Sequence, residues 1–445
     1  MTAATVAALG LLLFGWAVLS GALARHNVTG PLVFTAAGYL LGNTDWGVLT
    51  IDVDTSVIHG VAEATLALVL FSDAARVNGG ELRRDLGPPV RLLAVGLPLT
   101  ILAGTLLAGV VFGGLAGGVA LLVGASLAPT DAALSAAVIE DGRIPLRLRR
   151  ALNVESGLND GIATPLVSVG LAAASAALVG ATRSEGAQVA SALRELGLGA
   201  VIGLGVGVLG AFAINAAARR DWIAPGGRRL AAFGLAVAAF TLARAVEGNG
   251  FIAAFVAGLA YGATLDRSRT DLEQSAELPE LGGELLGLVV WFLFGAALVP
   301  VAIASIDATV VLYALASLTV VRMVPVAVAL VRSGLDRDSV VFLAWFGPRG
   351  LASVVFAVLA LEELGEGSAV TDRAIGAIVV TVLASVVLHG LTAGPGGRAY
   401  VRRAAARTPV DGAGADGTAE ADVAAPRARR LYFRRGATPP GAPRR

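Results

Sequence analysis

The sequence predicts an all-α polytopic membrane protein, and three observations support that fold class. First, 56% of the 445 residues are hydrophobic, only 15% are charged, and the mean hydropathy is +0.76. A water-soluble domain of this length does not need so much apolar surface. Second, the apolar residues gather into runs long enough to cross a bilayer. Third, the arginines concentrate in alternate segments between those runs.

The apolar runs predict about thirteen transmembrane helices, since a helix needs roughly 20 apolar residues to cross the hydrocarbon core. Two of the runs, 28–42 and 250–265, are shorter and are predicted to be tilted or partial spans. The predicted spans cover residues 4–24, 28–42, 56–73, 90–112, 115–139, 151–179, 193–217, 229–246, 250–265, 281–303, 307–331, 338–361 and 374–394.

All 34 basic residues are arginine, and their positions predict the orientation of the chain. With the N-terminus outside, the arginines that lie between spans fall in cytoplasmic segments, except for Arg183, Arg194 and Arg373. Because positive charge favours the cytoplasmic side, we expect a bacterial inner membrane protein with a cytoplasmic C-terminus. Residues 397–445, rich in Arg, Pro, Gly and Asp, are predicted to form a disordered tail that contacts membrane lipid.

Prolines interrupt two of the predicted spans. Pro129 and Pro348 lie in the middle of spans 5 and 12, where each removes a backbone donor and breaks the helix. Polar residues follow each of them, namely Thr130 and Asp131 in one case and Arg349 in the other. Matching interruptions in two halves indicate inverted six-helix repeats whose broken helices cross at a binding site. We predict a transmembrane domain over residues 1–396, with repeat one at about 1–180, a linker span at about 193–217 and repeat two at about 229–396.

Span 6 carries four oxygen-bearing side chains within an apolar segment. Glu155 and Asn159 are four residues apart, as are Ser156 and Asp160, so each pair lies on one stripe of a helix. A carboxylate near the membrane centre costs roughly 2.5–3.5 kcal/mol and therefore needs a partner, a proton or a function. Small hard cations prefer oxygen ligands. The segment therefore predicts a site for such a cation or for a proton.

In their order and spacing, these motifs resemble those of the monovalent cation:proton antiporter-1 family, the NhaP-type sodium/proton exchangers. The resemblance extends over all the predicted spans. It implies a six-helix core domain, a dimerisation domain and a homodimer, and we expect neither a cofactor nor a nucleic-acid partner. The motifs that carry it are Pro129-Thr130-Asp131, the segment Glu155-Ser156-Gly157-Leu158-Asn159-Asp160-Gly161, Arg322 in span 11, and Gly347-Pro348-Arg349-Gly350.

The resemblance implies roles for the residues of the first repeat. Asp160 matches the essential aspartate that binds the ion and the proton, with Asn159 as its neighbour. Thr130 and Ser156 match further ligands of the sodium ion. Asp131, together with Asn159, matches a residue that helps to hold the crossing of the broken helices.

Other matches concern charge pairing. Glu155 matches a glutamate that pairs with the arginine of span 11, here Arg322. Arg349 matches the arginine of the second broken helix. The family's acidic residue in span 3 is matched by either Glu63 or Asp73, and the sequence leaves that choice open.

These residues predict exchange of sodium or lithium for protons through Asp160. Burial away from water disfavours the charged carboxylate, so a proton and a cation compete for it. A charged, empty Asp160 is costly to move, so each crossing carries one or the other. Because Asn159 is neutral, we expect one proton per cation and no net charge moved.

Three alternatives remain at this point. Potassium/proton exchange uses the same oxygen ligands and is the nearest of them. A cation channel is compatible with broken helices, although no filter-like repeat is visible in the sequence. A membrane-embedded hydrolase can use Asp131 and Asp160 as an aspartyl pair, but it leaves Arg349 and the duplication unexplained. We therefore expect a transporter and not an enzyme.

Overall fold

The computed structural model describes most of the chain up to Arg407, and the structural results concern those residues. Within them every regular element is helical, which confirms the predicted all-α class. The predicted tail beyond residue 407 lies outside the described residues. These are residues 2–26, 28–42, 47, 49, 55–77, 87–113, 115, 117–178, 185–304, 306–365 and 369–407.

The helices follow the order of the apolar runs and are numbered along the chain. They are α1 (Ala3–Ala24), α2 (Gly30–Gly42), α3 (Thr55–Ala75), α4 (Gly87–Val111), α5a (Gly117–Ser126), α5b (Ala136–Ile139), α6 (Leu146–Leu178), α7 (Glu185–Arg219), α8 (Pro225–Ala245), α9 (Gly250–Thr264), α10 (Glu277–Ala304), α11 (Ala308–Ala329), α12a (Arg337–Trp345), α12b (Leu351–Leu364) and α13 (Ala369–Arg407). One further turn, Leu272–Ser275, precedes α10, and α11 is interrupted at Thr319.

Eight of the described helices are long and apolar enough to cross a membrane by length and composition, namely α1, α3, α4, α6, α7, α10, α11 and α13. The helices α2, α5a and α9 are apolar but shorter. Interruption explains the short lengths in α5 and α12, because each half spans only part of the bilayer. The multi-pass class is therefore confirmed, whereas the number of thirteen crossings stays a prediction.

Glycines bring helices of the two repeats together in matching ways. A Cβ added at Gly258 or Gly262 of α9 would lie 2.3 or 2.1 Å from a carbonyl oxygen of α3. A Cβ added at Gly38 of α2 would lie 1.9 Å from a carbonyl oxygen of α10. Small residues allow such close backbone contact between membrane helices. The pairs α2–α10 and α9–α3 hold equivalent places in the two repeats, in agreement with the inverted architecture.

The last helix continues beyond the predicted end of the domain at residue 396. It runs to Arg407, and its extension packs on α12a. The Tyr400 ring lies 4.7 Å from the Phe342 ring, and the Tyr400 hydroxyl forms a hydrogen bond with Ser339. The composition of this segment resembles that of the tail, so only its packing shows that it belongs to the folded domain.

Candidate functional site

The two broken helices meet at their interruptions, where Asp131 joins them. The Asp131 N–H donates to the Pro348 carbonyl at 2.8 Å. The Asp131 carboxylate accepts from the N–H of Leu351, the first residue of α12b, at 3.0 Å. The free N–H groups and the dipole of a helix N-terminus favour a negative charge there. Asp131 from one broken helix therefore caps the second half of the other.

Arg349 makes the reciprocal contact. Its guanidinium donates to the carbonyls of Ala128 and Pro129, at 2.6 and 3.3 Å, just beyond the end of α5a. The Ser353 hydroxyl donates to the Ser126 carbonyl at 2.6 Å. Carbonyls at the end of a helix carry partial negative charge and need donors when water is excluded. A fully buried cation and a hydroxyl supply those donors.

Gly350 allows this close approach, and its substitution provides a test. A Cβ at this position would lie 2.0 Å from a carboxylate oxygen of Asp131. We expect Gly350→Ala to lower the free energy of unfolding by about 1–3 kcal/mol, the usual cost of an overpacked core. Gly205→Ala is the control, because nothing lies within 4 Å of its added Cβ. Equal thermal stability of purified Gly350→Ala and wild-type protein would contradict this account of the crossing.

Next to the crossing, α6 and the interruption of α5 bring three polar side chains together. The Thr130 hydroxyl lies 2.9 Å from the Ser156 hydroxyl, and the Asn159 amide nitrogen donates to Thr130 at 2.7 Å. All three side chains are buried. The amide oxygen of Asn159 is fully buried and meets no donor among the described residues. Such an orphaned buried acceptor calls for a water or an ion.

Asp160 lies one helical turn after Ser156, on the same stripe of α6. It is 9% exposed, and its backbone carbonyl accepts a hydrogen bond from Thr164. The next residue, Gly161, packs against α9, where an added Cβ would lie 2.2 Å from the Phe255 ring. Asp160 therefore lies on α6 between Ser156, which contacts Thr130 in the interruption of α5, and Gly161, which packs on α9.

Glu155 and Arg322 form a buried ion pair that connects α6 with α11. Two guanidinium nitrogens of Arg322 donate to the two carboxylate oxygens of Glu155, at 2.5 and 2.9 Å. Both side chains are 1% exposed. A bidentate pair of this kind fixes both side chains in orientation. The Arg322 guanidinium also lies against Gly347, where a Cβ would come within 2.5 Å of it.

A family model described as "sodium/hydrogen exchanger, transmembrane" matches residues 8–397 of the chain. The chain belongs to this sodium/hydrogen exchanger family. The family is one of transporters, not of enzymes, so membership gives the hydrolase alternative no support.

Two individual bacterial relatives match only part of the chain. The K(+)/H(+) antiporter NhaP2 of Shewanella oneidensis is 31% identical over 194 residues, which are 43% of this chain and 33% of the relative. The K(+)/H(+) antiporter NhaP of Alkalimonas amylolytica is 26% identical over 344 residues, or 74% of this chain and 55% of the relative. The chain thus spans from a third to just over half of the length of these two curated relatives.

The fold has a close match among solved structures. The sodium proton antiporter MjNhaP1 from Methanocaldococcus jannaschii at pH 8 superposes with a TM-score of 0.71, over 89% of this chain and 98% of that chain. The sequence identity is 22%, so this likeness shows the fold alone.

The two acidic candidates of span 3 lie at different places in this exchanger-family fold. Glu63 accepts a hydrogen bond from Arg244 at 2.9 Å and lies 3.0 Å from His59. Asp73 is half-buried, and its Cβ lies 3.9 Å from the position of an added Cβ on Gly157. Ten residues of helix separate the two acids by about 15 Å. Asp73 is therefore beside α6 near the site, while Glu63 belongs to a separate cluster.

Among the described residues, five charged side chains are buried at and near the crossing. Three are carboxylates and two are guanidinium groups. Burial of a charge away from water is costly, so each of these groups needs a partner, and a monovalent cation or a proton can serve as one for a carboxylate. The buried charged groups are Asp131, Glu155, Asp160, Arg322 and Arg349.

A cavity of about 710 Å³ reaches the crossing from the end of the molecule where α5b and α13 lie. It contacts Asp131 and Leu351, whereas Asp160 is not part of its lining. At its mouth, Arg143 donates two hydrogen bonds to Asp141 and lowers the pKa of that carboxyl. The cavity therefore reaches the groups that hold the crossing, and the Asp160 cluster lies beyond them.

Sequence reasoning did not single out several residues that complete the crossing. Ser353 donates to α5a, and Ser385 on α13 accepts from the Arg349 backbone N–H at 2.6 Å. His389 lies one turn after Ser385 and is also buried. One sequence signal does exist for the last two: polar residues at 385, 389 and 392 recur at helical spacing within an apolar span.

Proposed function

We propose that this chain exchanges a monovalent cation for a proton across the membrane, with both competing for Asp160. Thr130 and Ser156 supply further oxygen ligands to the cation, and Asn159 orders the Thr130 hydroxyl. The observation that carries the proposal is the carboxylate of Asp160, which is buried on α6, on the same helix as the buried Ser156 hydroxyl and the orphaned amide oxygen of Asn159. A bound cation or a bound proton neutralises that carboxylate.

Sodium or lithium is the proposed cation, and potassium is the second candidate. Hard oxygen ligands suit all three ions, so the donor set alone does not choose between them. Membership of the sodium/hydrogen exchanger family favours sodium. The names of the two bacterial relatives, both K(+)/H(+) antiporters, favour potassium.

Vesicles loaded with a pH-sensitive dye test the proposal. Inverted membrane vesicles are acidified by respiration, and sodium, lithium or potassium chloride is then added in turn. Recovery of dye fluorescence on addition of at least one salt is expected, and the concentration for half-maximal recovery ranks the cations. No recovery with any of the salts across pH 6–9 would refute cation/proton exchange.

Electroneutral one-for-one exchange is the second part of this proposal. Asp160 is the one carboxylate assigned to the exchange and its neighbour Asn159 is neutral, so the bound cation and the bound proton bring the same charge to the site. In proteoliposomes, an imposed membrane potential of either sign is therefore expected to leave the exchange rate unchanged. A rate that rises or falls with the potential would show that net charge moves, which contradicts one-for-one exchange.

We also propose a homodimer in the bacterial inner membrane, with the N-terminus outside and the C-terminus in the cytoplasm. The arginine distribution supports the orientation, and the resemblance to NhaP-type exchangers supports the dimer. The chain has no native cysteine. A cysteine introduced at Thr2 should therefore react in intact cells with a membrane-impermeant maleimide. Failure to react would contradict the proposed orientation, with the N-terminus outside.

A further inference from the structure

The interruption of α12 removes one particular helical hydrogen bond. In an unbroken helix, the N–H of Arg349 would donate to the carbonyl of Trp345, four residues earlier. Here the Arg349 N–H donates instead to the Ser385 hydroxyl of α13, at 2.6 Å. The Trp345 carbonyl accepts from the Gly347 N–H at 2.8 Å and also lies 3.0 Å from Nε2 of His389, on α13. Two side chains of α13 thus occupy the gap between the separated donor and acceptor.

The hydrogen-bond roles within this group follow from its chemistry. A carbonyl only accepts, so the Nε2 of His389 carries the hydrogen that reaches Trp345. The Ser385 hydroxyl already accepts from Arg349, and its own hydrogen is available to Nδ1 of His389, 3.2 Å away. Nδ1 also lies 3.0 Å from the Ser385 carbonyl, which is the regular helical partner of the His389 backbone N–H. A neutral imidazole protonated at Nε2 therefore donates to the Trp345 carbonyl, and its Nδ1 accepts from the Ser385 hydroxyl.

A charged imidazolium does not fit this environment. The buried charged groups at and beside the crossing are Arg349 in the interruption of α12, Arg322 on α11, Glu155 and Asp160 on α6, and Asp131 in the interruption of α5. Of these, the two arginines act electrostatically on His389. A positive His389 would add a third buried cation near them. The Trp345 ring lies on the imidazole, with centroids 5.1 Å apart, and donates to the Thr392 hydroxyl at 3.0 Å. These contacts fix the ring without any acidic partner.

We infer that His389 is a positioning residue of the exchange site: as a neutral imidazole, it works with Ser385 to replace the missing helical hydrogen bond of α12 and so holds Arg349 against the end of α5a. The inference rests on the proposed cation/proton exchange for its effect on rate. The hydrogen bonds that lead from Arg349 through Ser385 and His389 to Trp345 form a relay, and its geometry can be tested without measuring transport.

The first experiment reads the state of the imidazole directly. The chain has only three histidines, so the purified full-length protein labelled with ¹⁵N-histidine gives a simple NMR spectrum, and His389→Gln identifies the signal of His389. We expect a neutral ring with the hydrogen on Nε2 from pH 6 to pH 8. An imidazolium signal, or a hydrogen on Nδ1, at pH 7 would overturn the inference, whether or not the protein exchanges ions.

The second experiment measures exchange in vesicles for His389→Phe, Ser385→Ala, the double variant and His389→Gln. Loss of one partner of a buried hydrogen bond is expected to lower the maximal rate about tenfold or more in each of the first two. Because both act in one relay, the double variant should lose little more than the worse single one. His389→Gln retains a donor for Trp345 and should stay within about threefold of wild type, with an unchanged pH profile.

Val387→Ala is the matched control, because Val387 lies on the exposed face of the same turn of α13. Folding is checked for every variant by thermal unfolding and by monodispersity in detergent. A folded His389→Phe protein with the wild-type maximal rate would overturn the inference, as would additive losses in the double variant. If the wild type itself exchanges no alkali cation, the proposed function fails, and the NMR result alone decides the inference.

Discussion

Replacing Asp160 with asparagine is expected to abolish cation/proton exchange, down to the level of vesicles that lack the protein. The substitution keeps the size of the side chain but removes the carboxylate for which cation and proton compete. Asparagine carries no charge and is not protonated near neutral pH, so the cation loses its carboxylate ligand and the proton loses its acceptor. The competition that couples their movement then stops. Dye recovery with sodium, lithium and potassium chloride measures the effect.

Two matched variants separate this loss from a general defect. Asp160→Glu keeps the charge and is expected to keep part of the activity, with an altered cation affinity. Asp141→Asn removes a carboxylate at the mouth of the cavity, where Arg143 holds the pKa low, and should leave the exchange rate close to that of the wild type. Exchange by Asp160→Asn at the wild-type rate would refute the mechanism proposed here.

Breaking the Glu155–Arg322 pair is expected to have the largest effect on stability. Glu155→Gln leaves the fully buried guanidinium of Arg322 without its counter-charge, a change that typically costs about 3–5 kcal/mol. Both side chains are 1% exposed, so water cannot replace the lost partner. We expect a large fall in the thermal unfolding temperature of the purified protein and a low yield of folded protein.

The reciprocal double variant shows whether charge pairing is the cause. Glu155→Gln combined with Arg322→Met removes both charges and should recover most of the lost stability, because no buried charge is then left without its partner. The surface pair of Arg194 and Glu247 is the control. Its side chains are 63% and 80% exposed, and Glu247→Gln should change stability by less than about 1 kcal/mol. A double variant that is less stable than Glu155→Gln alone would contradict the pairing argument.

The features that could be predicted were those with a local signal. Apolar runs predict helices one at a time, because crossing hydrocarbon requires a continuous apolar surface. Pro129 and Pro348 predict their own helix breaks, because the missing donor acts within one turn. Asp160 can be identified from the sequence, because a carboxylate in an apolar membrane segment is costly and needs a partner, a proton or a function.

Features that depend on distant partners could not be predicted in the same way. The different surroundings of Glu63 and Asp73 could not be predicted, because both acids lie on one helix and only the packing of α3 on α6 sets them apart. The roles of Ser385 and His389 needed the position of α13 beside the broken helix. The extent of α13 to Arg407 needed the contacts of Tyr400, because the composition there is that of the tail.

The sequence by itself determined that this chain is a multi-pass helical membrane protein, with two interrupted helices and an unusual carboxylate on α6. Each of these follows from interactions within a few neighbouring residues, which a linear pattern records. Only the tertiary structure decided that Asp131 caps α12b, that Arg349 donates to the carbonyls at the end of α5a, and that Glu155 pairs with Arg322. Those contacts join groups that are more than 150 residues apart in the chain. Where water is excluded, such contacts decide whether a buried charge is paired.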